Sequence, residues 1–283
     1  MTKPQTSLLV ASLFILNLAT AQASDYERFN DKWRFYGGGF YPDVSSKIDI
    51  NGEIVDPPPI DFEDTLGLEE SETTAFLGVQ WHISNRNSLE FEYFQLKRDG
   101  FIDLIEEPIE VGDLLIEDGT IDTAFDISIG RLTYGFSVYR SERSDVQLKA
   151  GLHIADMSTA LRLSGAICDA QQGETPPCPV DSSGTAAEDI TAPLPHFGGS
   201  WGYAIAPDWD LNLNLIGFAI ELDNIDGSLV EFDADIQWSP WRHFGIGAGL
   251  RYFNANVKSK GSELNGEFDF EYYGPAVFVA GSF

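Results

Sequence analysis

Hydrophobic and polar side chains alternate along most of this chain with a period of two residues. The alternation is clearest at residues 230–238, where the sequence reads VEFDADIQW. Successive side chains of a β-strand point to opposite faces, so this period is typical of strands with one apolar and one polar face. Beyond residue 23 the chain shows no 3.6-residue period of helical length. The sequence therefore predicts an all-β fold.

Ten such segments follow one another, separated by turn residues. They cover residues 32–42, 72–84, 87–99, 119–139, 144–163, 190–206, 209–223, 227–239, 242–258 and 266–283. Every second connection is short, as in SNRN at 84–87 and SPWR at 239–242, whereas 43–71, 99–119 and 163–190 are long. Short turns at one end, long loops at the other and an even strand number predict a transmembrane antiparallel up-and-down β-barrel of about ten strands, with eight or twelve as alternatives.

Alternation alone does not say which face is outside, since a soluble barrel or a lipocalin would place its apolar side inward. The tryptophans favour the membrane barrel, because all of them fall near the short-turn ends of their strands. Indole rings prefer the membrane–water interface. We therefore expect an aromatic girdle at this rim, made of Trp33, Trp81, Trp201, Trp209, Trp238 and Trp241.

Two further expectations concern the opposite rim. Aromatic residues near the long-loop ends are expected to form a second girdle there, namely Phe40, Tyr41, Phe125, Phe268, Phe270 and Tyr272. In the fourth segment the apolar phase changes between Ile129 and Leu132. A strand that changes phase usually contains an extra residue, so we expect a β-bulge near Gly130.

Both ends of the chain predict export to the outer membrane of a Gram-negative bacterium. Residues 1–23 contain a lone Lys3, an apolar run and Ala21-Gln22-Ala23, which predicts a signal peptide cleaved after Ala23. The alternative, an anchor helix, would need about 20 apolar residues. Residues 24–283 then form one barrel domain. We expect Phe283 to act as the signal for the barrel assembly machinery, although Gly281 stands where an aromatic residue is usual.

The formal net charge of -28 makes the chain unsuited to nucleic acid, which is excluded as a partner. Acidic loops fit a salty habitat, and they also fit divalent cations bound at the cell surface. Outer-membrane lipid and lipopolysaccharide are the expected surroundings. Cys168 and Cys178 lie in one short segment, and an exported protein meets oxidising conditions, so we expect a disulfide between them rather than a metal site.

Strand parity directs many charged side chains into the barrel. The expected lumen residues are Arg34, His82, Glu90, Glu92, Arg131, Lys149, His153, His196, Glu231, Asp233, Asp235 and Arg251. A ten-strand lumen is narrow, so these charges should pair. We expect His82 opposite Glu90, and Arg131 level with His153. The set is interpreted either as a structural plug of ion pairs or as a polar pathway for small solutes.

Catalysis would need a base beside a nucleophile or an activated water near the outer rim. The candidates are His153 and His196 with Ser158, Ser200 and Asp156, but no acid is placed to orient a histidine. The chain matches no motif of the barrel proteases, lipid A deacylases or phospholipases. We therefore expect no catalytic residues, no cofactor and no metal, with a hydrolase as the least favoured alternative.

The chain resembles a group of uncharacterised proteobacterial outer-membrane β-barrel proteins. The resemblance lies in IDFEDTLGLEESET, FLGVQWHISNRNSLEFEYFQL, VGDLLIEDGTIDT, LVEFDADIQWSPWRHFGIGAGLRYF and YYGPAVFVAGSF. These framework stretches imply the fold and the outer-membrane location, and they carry no chemistry. The expected function is a narrow channel or solute-binding pore. The alternative is a structural or surface-interaction barrel with acidic extracellular loops.

Overall fold

The computed structural model describes residues 31–50, 60–103, 109–111, 114–169, 182–221, 225–260 and 265–283. Its strands are β1 (Trp33–Phe40), β2 (Asp43–Ile50), β3 (Ile60–Asp61), β4 (Thr74–Ser84), β5 (Asn87–Asp103), β6 (Ile109–Val111), β7 (Leu114–Arg140), β8 (Ser144–Asp169), β9 (Ser182–Ala206), β10 (Trp209–Glu221), β11 (Ile225–Trp241), β12 (Phe244–Lys260) and β13 (Asn265–Ser282). A short helix, α1, spans Phe62–Leu66. No helix in the described ranges is long and apolar enough to cross a membrane.

Ten of the strands close into an antiparallel barrel. They pair in the order β1-β4-β5-β7-β8-β9-β10-β11-β12-β13. β13 then pairs with β1, with Arg34 opposite Ser282 and Phe40 opposite Ala276, and this pairing closes the sheet. The predicted antiparallel barrel of ten strands is confirmed.

The strands reach further on the long-loop side than predicted. β5 continues to Asp103 and β7 begins at Leu114, so most of the expected loop 99–119 is strand, with the short β6 paired to β7. Within the expected loop 43–71, β2 extends the pairing of β13 beyond β1. The predicted signal peptide, Cys178 and the side chain of Cys168 lie outside the described residues.

The faces of β7 exchange their polarity partway along the strand. The odd-numbered residues of 121–137 point inward without interruption. They are mostly apolar as far as Ile129 and polar from Arg131 onward. The outward row changes in the opposite sense, from acidic Asp126 to apolar Leu132, which is 47% exposed.

Neighbouring strands change at the same level. On β5 the inward row passes from Glu92 to Phe94. On β8 the outward row passes from Ile154 to Asp156. The level divides the barrel into a belt half on the short-turn side and an outer half. Outward apolar residues of the belt half include Phe35, Leu77, Phe91, Leu148, Phe197, Leu215, Phe232, Leu250 and Val277. Such a belt matches the lipid-facing band of transmembrane barrels.

The exchange corrects two expectations. The bulge near Gly130 is wrong, because pairing continues through it, opposite Tyr93 on one side and Ile154 on the other. The strand keeps its phase, and its outward face changes from polar residues to apolar ones. The prediction of a second aromatic girdle is also wrong for most of the residues named. Phe40, Phe125, Phe270 and Tyr272 are inward and between 1% and 4% exposed.

The outer half has a gap between β2 and β5, because β4 starts only at Thr74. Residues 60–73, the cover segment, bridge it. Leu68 pairs with Gly100 of β5, and the Val44 N–H of β2 donates to the Glu70 carbonyl at 2.7 Å. A Cβ on Gly100 would lie 2.6 Å from the Leu66 carbonyl oxygen, so this close approach needs glycine.

A buried polar contact holds the cover segment in place. Glu63 of α1 accepts hydrogen bonds from the backbone and hydroxyl of Ser46 on β2, at 3.0 and 2.8 Å. The same carboxylate pairs with Arg98 of β5, which is 1% exposed and donates to the Ser46 hydroxyl at 2.7 Å. The neighbouring Phe62 packs into the interior, edge-on to Phe125 at 5.8 Å. One carboxylate therefore ties together three elements that share no sheet pairing at this point.

The polarity exchange predicts that an arginine introduced on the outward face of β8 destabilises the barrel in the belt half but not in the outer half. Leu148→Arg in the belt of β8 should lower the free energy of unfolding by about 2–4 kcal/mol, because the guanidinium would enter lipid. Ser158→Arg, also outward on β8 but above the belt, should change it by less than about 0.5 kcal/mol. Urea unfolding in phosphatidylcholine vesicles measures both values. Equal losses for the two variants would contradict the assigned boundary.

Candidate functional site

The polar lumen of the belt half is the candidate site. The structure places all twelve expected lumen residues on the inward side of their strands, from Arg34 on β1 to Arg251 on β12. The strands that carry them are regular, so each inward position follows from strand parity. They fall into two groups at different depths. An ionic layer lies directly below the outer half, and an open chamber lies between that layer and the short-turn rim.

Arg131 is the centre of the ionic layer and is 6% exposed. Its guanidinium pairs with Glu231 and lies 3.5 Å from a Glu92 oxygen and 3.6 Å from a Glu90 oxygen. Glu90 and Glu92 belong to the neighbouring strand β5, whereas Glu231 belongs to β11, so the contact with Glu231 crosses the lumen. Charges removed from water in this way are stable only when paired and hydrogen-bonded.

Two further cations complete the layer. Lys149 Nζ lies 3.0 Å from Glu90, and Arg251 Nη1 donates to Glu92 at 2.8 Å. Tyr36 donates its hydroxyl proton to Glu90 at 2.8 Å. Each glutamate of β5 therefore meets two cations on different strands. Through these side chains the layer connects β5, β7 and β8 with β11 and β12, which lie across the lumen.

The two inward histidines form a directional hydrogen-bond chain. Glu231 accepts from His153 Nε2 at 2.8 Å, which leaves the His153 Nδ1 of a neutral ring as an acceptor. His196 Nδ1 lies 3.0 Å from it and donates, and His196 Nε2 accepts from the Thr133 hydroxyl at 3.1 Å. These tautomers are assigned from the network. With exposures of 1% and 0%, both rings are fully satisfied and shielded from solvent.

Apolar side chains fill the lumen above the ionic layer. Phe125 of β7 meets Phe270 of β13 with ring centroids 6.4 Å apart, although three barrel strands separate β7 from β13 on the shorter way round. Phe94 of β5 contacts Tyr272 at 5.5 Å, and Phe253 stacks on that ring at 5.1 Å. All five rings are at most 6% exposed. Side chains so fully buried cannot line a water path, so the described residues seal the lumen at this level.

Below the ionic layer the lumen opens into a chamber of about 150 Å³. Its lining extends from Arg131 and Arg251 down to the rim residues Asp31, His82 and Ser282. Carboxylates and amides of β8, β10 and β11 form one side, namely Asp145, Gln147, Asp210, Asn212, Asn214, Asp233, Asp235 and Gln237. The lumen is thus a cup that faces the short-turn end.

The structure overturns the expected pairing of His82 with Glu90. His82 lies opposite Ser88, and Glu90 lies opposite Gln80, because the hairpin turns tightly at residues 85–86 with a register shift before Asn87. Glu231 was expected opposite or diagonal to Arg251, and it lies diagonal to it, with Asp233 as the direct partner of Arg251. Arg131 and His153 are level, as expected.

The serines expected beside the histidines do not meet His153 in these registers, although Glu231 places an acid at His153 that the sequence did not predict. His153 pairs with Leu194, whereas Ser200 pairs with Gln147, so the histidine and the serine do not meet. Asp156 and Ser158 face outward. In the described ranges, no group of three His, Cys, Asp or Glu side chains is arranged to hold a metal ion.

Several residues of the lumen were not among those predicted from the sequence. Parity along the same strands would have found Thr133 on β7 and Asp145 on β8. Tyr36 was overlooked because an inward tyrosine resembles a girdle residue, and its role depends on Glu90 of another strand. The cover segment around Glu63 carries no period-2 signal at all.

At the short-turn rim the six tryptophans face outward. Trp33 stacks on Trp81 at 5.4 Å, and Trp209 on Trp238 at 6.2 Å. Phe283 exchanges two 2.9 Å backbone hydrogen bonds with Trp33 and stacks on His243. Its role as an assembly signal stays a prediction.

No family model matches the chain, and no curated protein matches its sequence. The fold does have counterparts. The outer membrane protease OmpT from Escherichia coli is 8% identical, with a TM-score of 0.55 over 89% of this chain and 97% of that one. OprG from Pseudomonas aeruginosa is 12% identical, with a TM-score of 0.35 over 89% and 96%. The AIDA-I autotransporter unit from Escherichia coli is 8% identical, with a TM-score of 0.41 over 96% and 94%. The closed ten-strand sheet and its similarity to OmpT give the chain an outer-membrane β-barrel fold.

The ionic layer predicts a strong dependence of stability on Arg131. Arg131→Met should lower the free energy of unfolding by about 3–5 kcal/mol, because Glu231 and Glu92 would remain buried with less compensation. The control is Lys97→Met, which removes an exposed partner of Asp126 and should cost less than about 1 kcal/mol. Urea unfolding followed by tryptophan fluorescence measures both. A loss at Arg131 no larger than the loss at Lys97 would refute a structural role for the layer.

Proposed function

We propose that the protein is a sealed outer-membrane barrel with a structural and surface-interaction role, and that it is not a channel. The observation that carries this proposal is the contact between Phe125 and Phe270 across the lumen, with both rings almost fully buried. A passive pore needs a water path past Arg131 and Arg251. The described side chains fill that path twice, first with ion pairs and then with aromatic rings.

The outer half supports the second part of the proposal. Its outward face is strongly acidic in the described ranges and includes Asp99, Asp122, Asp126, Asp156, Asp189, Asp269 and Glu271. Burial raises the pKa of Glu72 above its ordinary value, and the neighbouring carboxylates Glu69 and Asp99 add to the shift. A surface with this field favours cationic partners and partners bridged by divalent ions.

Lipopolysaccharide held through divalent cations is the partner we propose for this face. Asp156 and Glu271 are the first outward carboxylates above the apolar belt on β8 and β13. They stand at the height of the anionic headgroups of the outer leaflet. A divalent ion between the two anions would relieve their repulsion, in the way oxygen ligands of several groups share Mg²⁺ or Ca²⁺.

We also propose that the buried histidine pair is structural and not catalytic. The two rings are hydrogen-bonded to each other. His153 also bonds to Glu231, and His196 also bonds to Thr133. A hydrolytic base must reach a substrate or water proton. Replacing both histidines with alanine should leave the hydrolysis of lipid A and of peptides by the refolded protein at the background of empty vesicles.

Planar-bilayer recordings test the sealed lumen. The refolded full-length protein should add no unitary current steps to a bilayer in which a general porin gives steps under the same conditions. Insertion is verified by heat-modifiable migration on a gel. Reproducible steps from the inserted protein would overturn the proposal and restore the channel.

Thermal unfolding in two kinds of vesicle tests the surface partner. Mg²⁺ should raise the melting temperature in lipopolysaccharide vesicles, because the bridge forms only in the folded barrel. It should have little effect in phosphatidylcholine vesicles. The double variant Asp156→Asn, Glu271→Gln should lose most of the difference. An equal Mg²⁺ effect in both variant and wild type would remove these carboxylates from the proposal.

A further inference from the structure

One wall of the chamber exposes hydrogen-bond acceptors almost exclusively. On β10 and β11, Asn212 donates its amide to Asp235 at 2.8 Å, and Asn214 donates to Asp233 at 3.1 Å. Each amide thereby uses a donor on a neighbouring carboxylate and contributes its oxygen to the wall as an acceptor. The carboxylates fix this orientation of the amides, since the flipped form would place two oxygens together.

Asp145 on β8 extends this wall and points to a ligand. Gln147 donates to its Oδ2 at 2.7 Å, whereas its Oδ1 has no hydrogen-bond donor among the described protein groups. Asp145 lines the chamber and is only 4% exposed. The Oδ1 of Asn214, also in the lining, lacks a donor as well. Buried acceptors of this kind normally have a partner.

The cations of the chamber make their shortest contacts with groups other than the wall carboxylates. Lys149 and Arg251 hold Glu90 and Glu92, and Arg131 holds Glu231 in the layer above, where it lies 3.6 Å from Asp233. Arg34 donates to Gln237 at 2.9 Å. The acceptor wall therefore calls for a ligand that donates hydrogen bonds, carries positive charge and comes from outside the chain.

An organic ammonium group fits this wall better than a metal ion does. It has three donors and no acceptor. In the described ranges no three acidic, His or Cys side chains are arranged around a common metal position. The chamber of about 150 Å³ has room for roughly ten water molecules at about 10–15 Å³ each by the same measure, which is enough for a short aliphatic diamine. The Phe278 ring in the lining gives its methylene groups an apolar contact.

We propose that this chamber binds a small aliphatic amine from the short-turn, periplasmic side. Asp145 and the paired wall of Asp233 and Asp235 receive its ammonium groups. The binding is independent of the sealed lumen and of the surface partner, because the chamber opens below the ionic layer.

Isothermal titration of the refolded full-length protein in detergent with 1,4-diaminobutane tests the proposal. A saturable single site is expected, with no binding of the uncharged isostere 1,4-butanediol. Asp145→Asn and Asp235→Asn each keep the size of the side chain and should weaken the amine at least tenfold. The control Asp126→Asn removes an outward carboxylate and should leave the affinity unchanged.

The proposal would be overturned by the absence of a saturable site for the diamine, by equal affinity for the diol, or by unchanged affinity in both chamber variants. Competition by equimolar Mg²⁺ that abolishes diamine binding would also overturn it, in favour of a metal. Heat-modifiable migration on a gel checks that each variant is folded. If one of the two chamber variants does not fold, the other one carries the test. Bilayer conductance has no bearing on this result, so the two proposals fail separately.

Discussion

The exchange of polarity between the belt half and the outer half is the constraint on which the structure depends. The same strands pass from lipid into water without changing phase, so each of their faces must serve two media. Where lipid lies outside, the outward row must be apolar, and polar side chains are left for the lumen. Where water lies outside, the hydrophobic effect favours the opposite arrangement, and an apolar core forms inside. Leu132 and Ile129 on β7 mark the point of exchange.

Each arrangement of the lumen follows from this exchange. Polar residues confined in a narrow belt half have little access to water, so Arg131 and its carboxylates satisfy one another instead. An apolar outer half packs like any protein interior, and Phe125 and Phe270 meet across it. The outer half lacks strand pairing at one place, the gap between β2 and β5. Glu63 closes it, because its carboxylate is the one acceptor shared by Ser46 and Arg98.

Strand parity predicted much from the sequence, and the reasons for its failures are physical. Parity depends only on the two-residue repeat, so the inward placement of Arg131, His153 and Glu231 followed directly. The predicted bulge at Gly130 is wrong because an exchange of polarity between the two faces of a strand gives the same sequence pattern as a shift of strand phase. The predicted register of the hairpin after His82 is wrong by two residues, because the same turn sequence is compatible with a tight turn and with a looser one. Contacts such as Arg131 with Glu231 join strands far apart in the chain, and closure of the barrel decides them.

The seal also changes what an acidic chamber means. In an open pore, a wall of carboxylates would set ion selectivity, and the solute would pass on. In a cup that is closed at one end, the same wall can only hold what enters and release it on the same side. A ligand that binds the folded barrel alone stabilises it by mass action. If the chamber binds a cation as proposed, Asp145 and Asp235 link its occupancy to the stability of the belt half, because Lys149, the cation nearest to Asp145 along β8, is paired with Glu90.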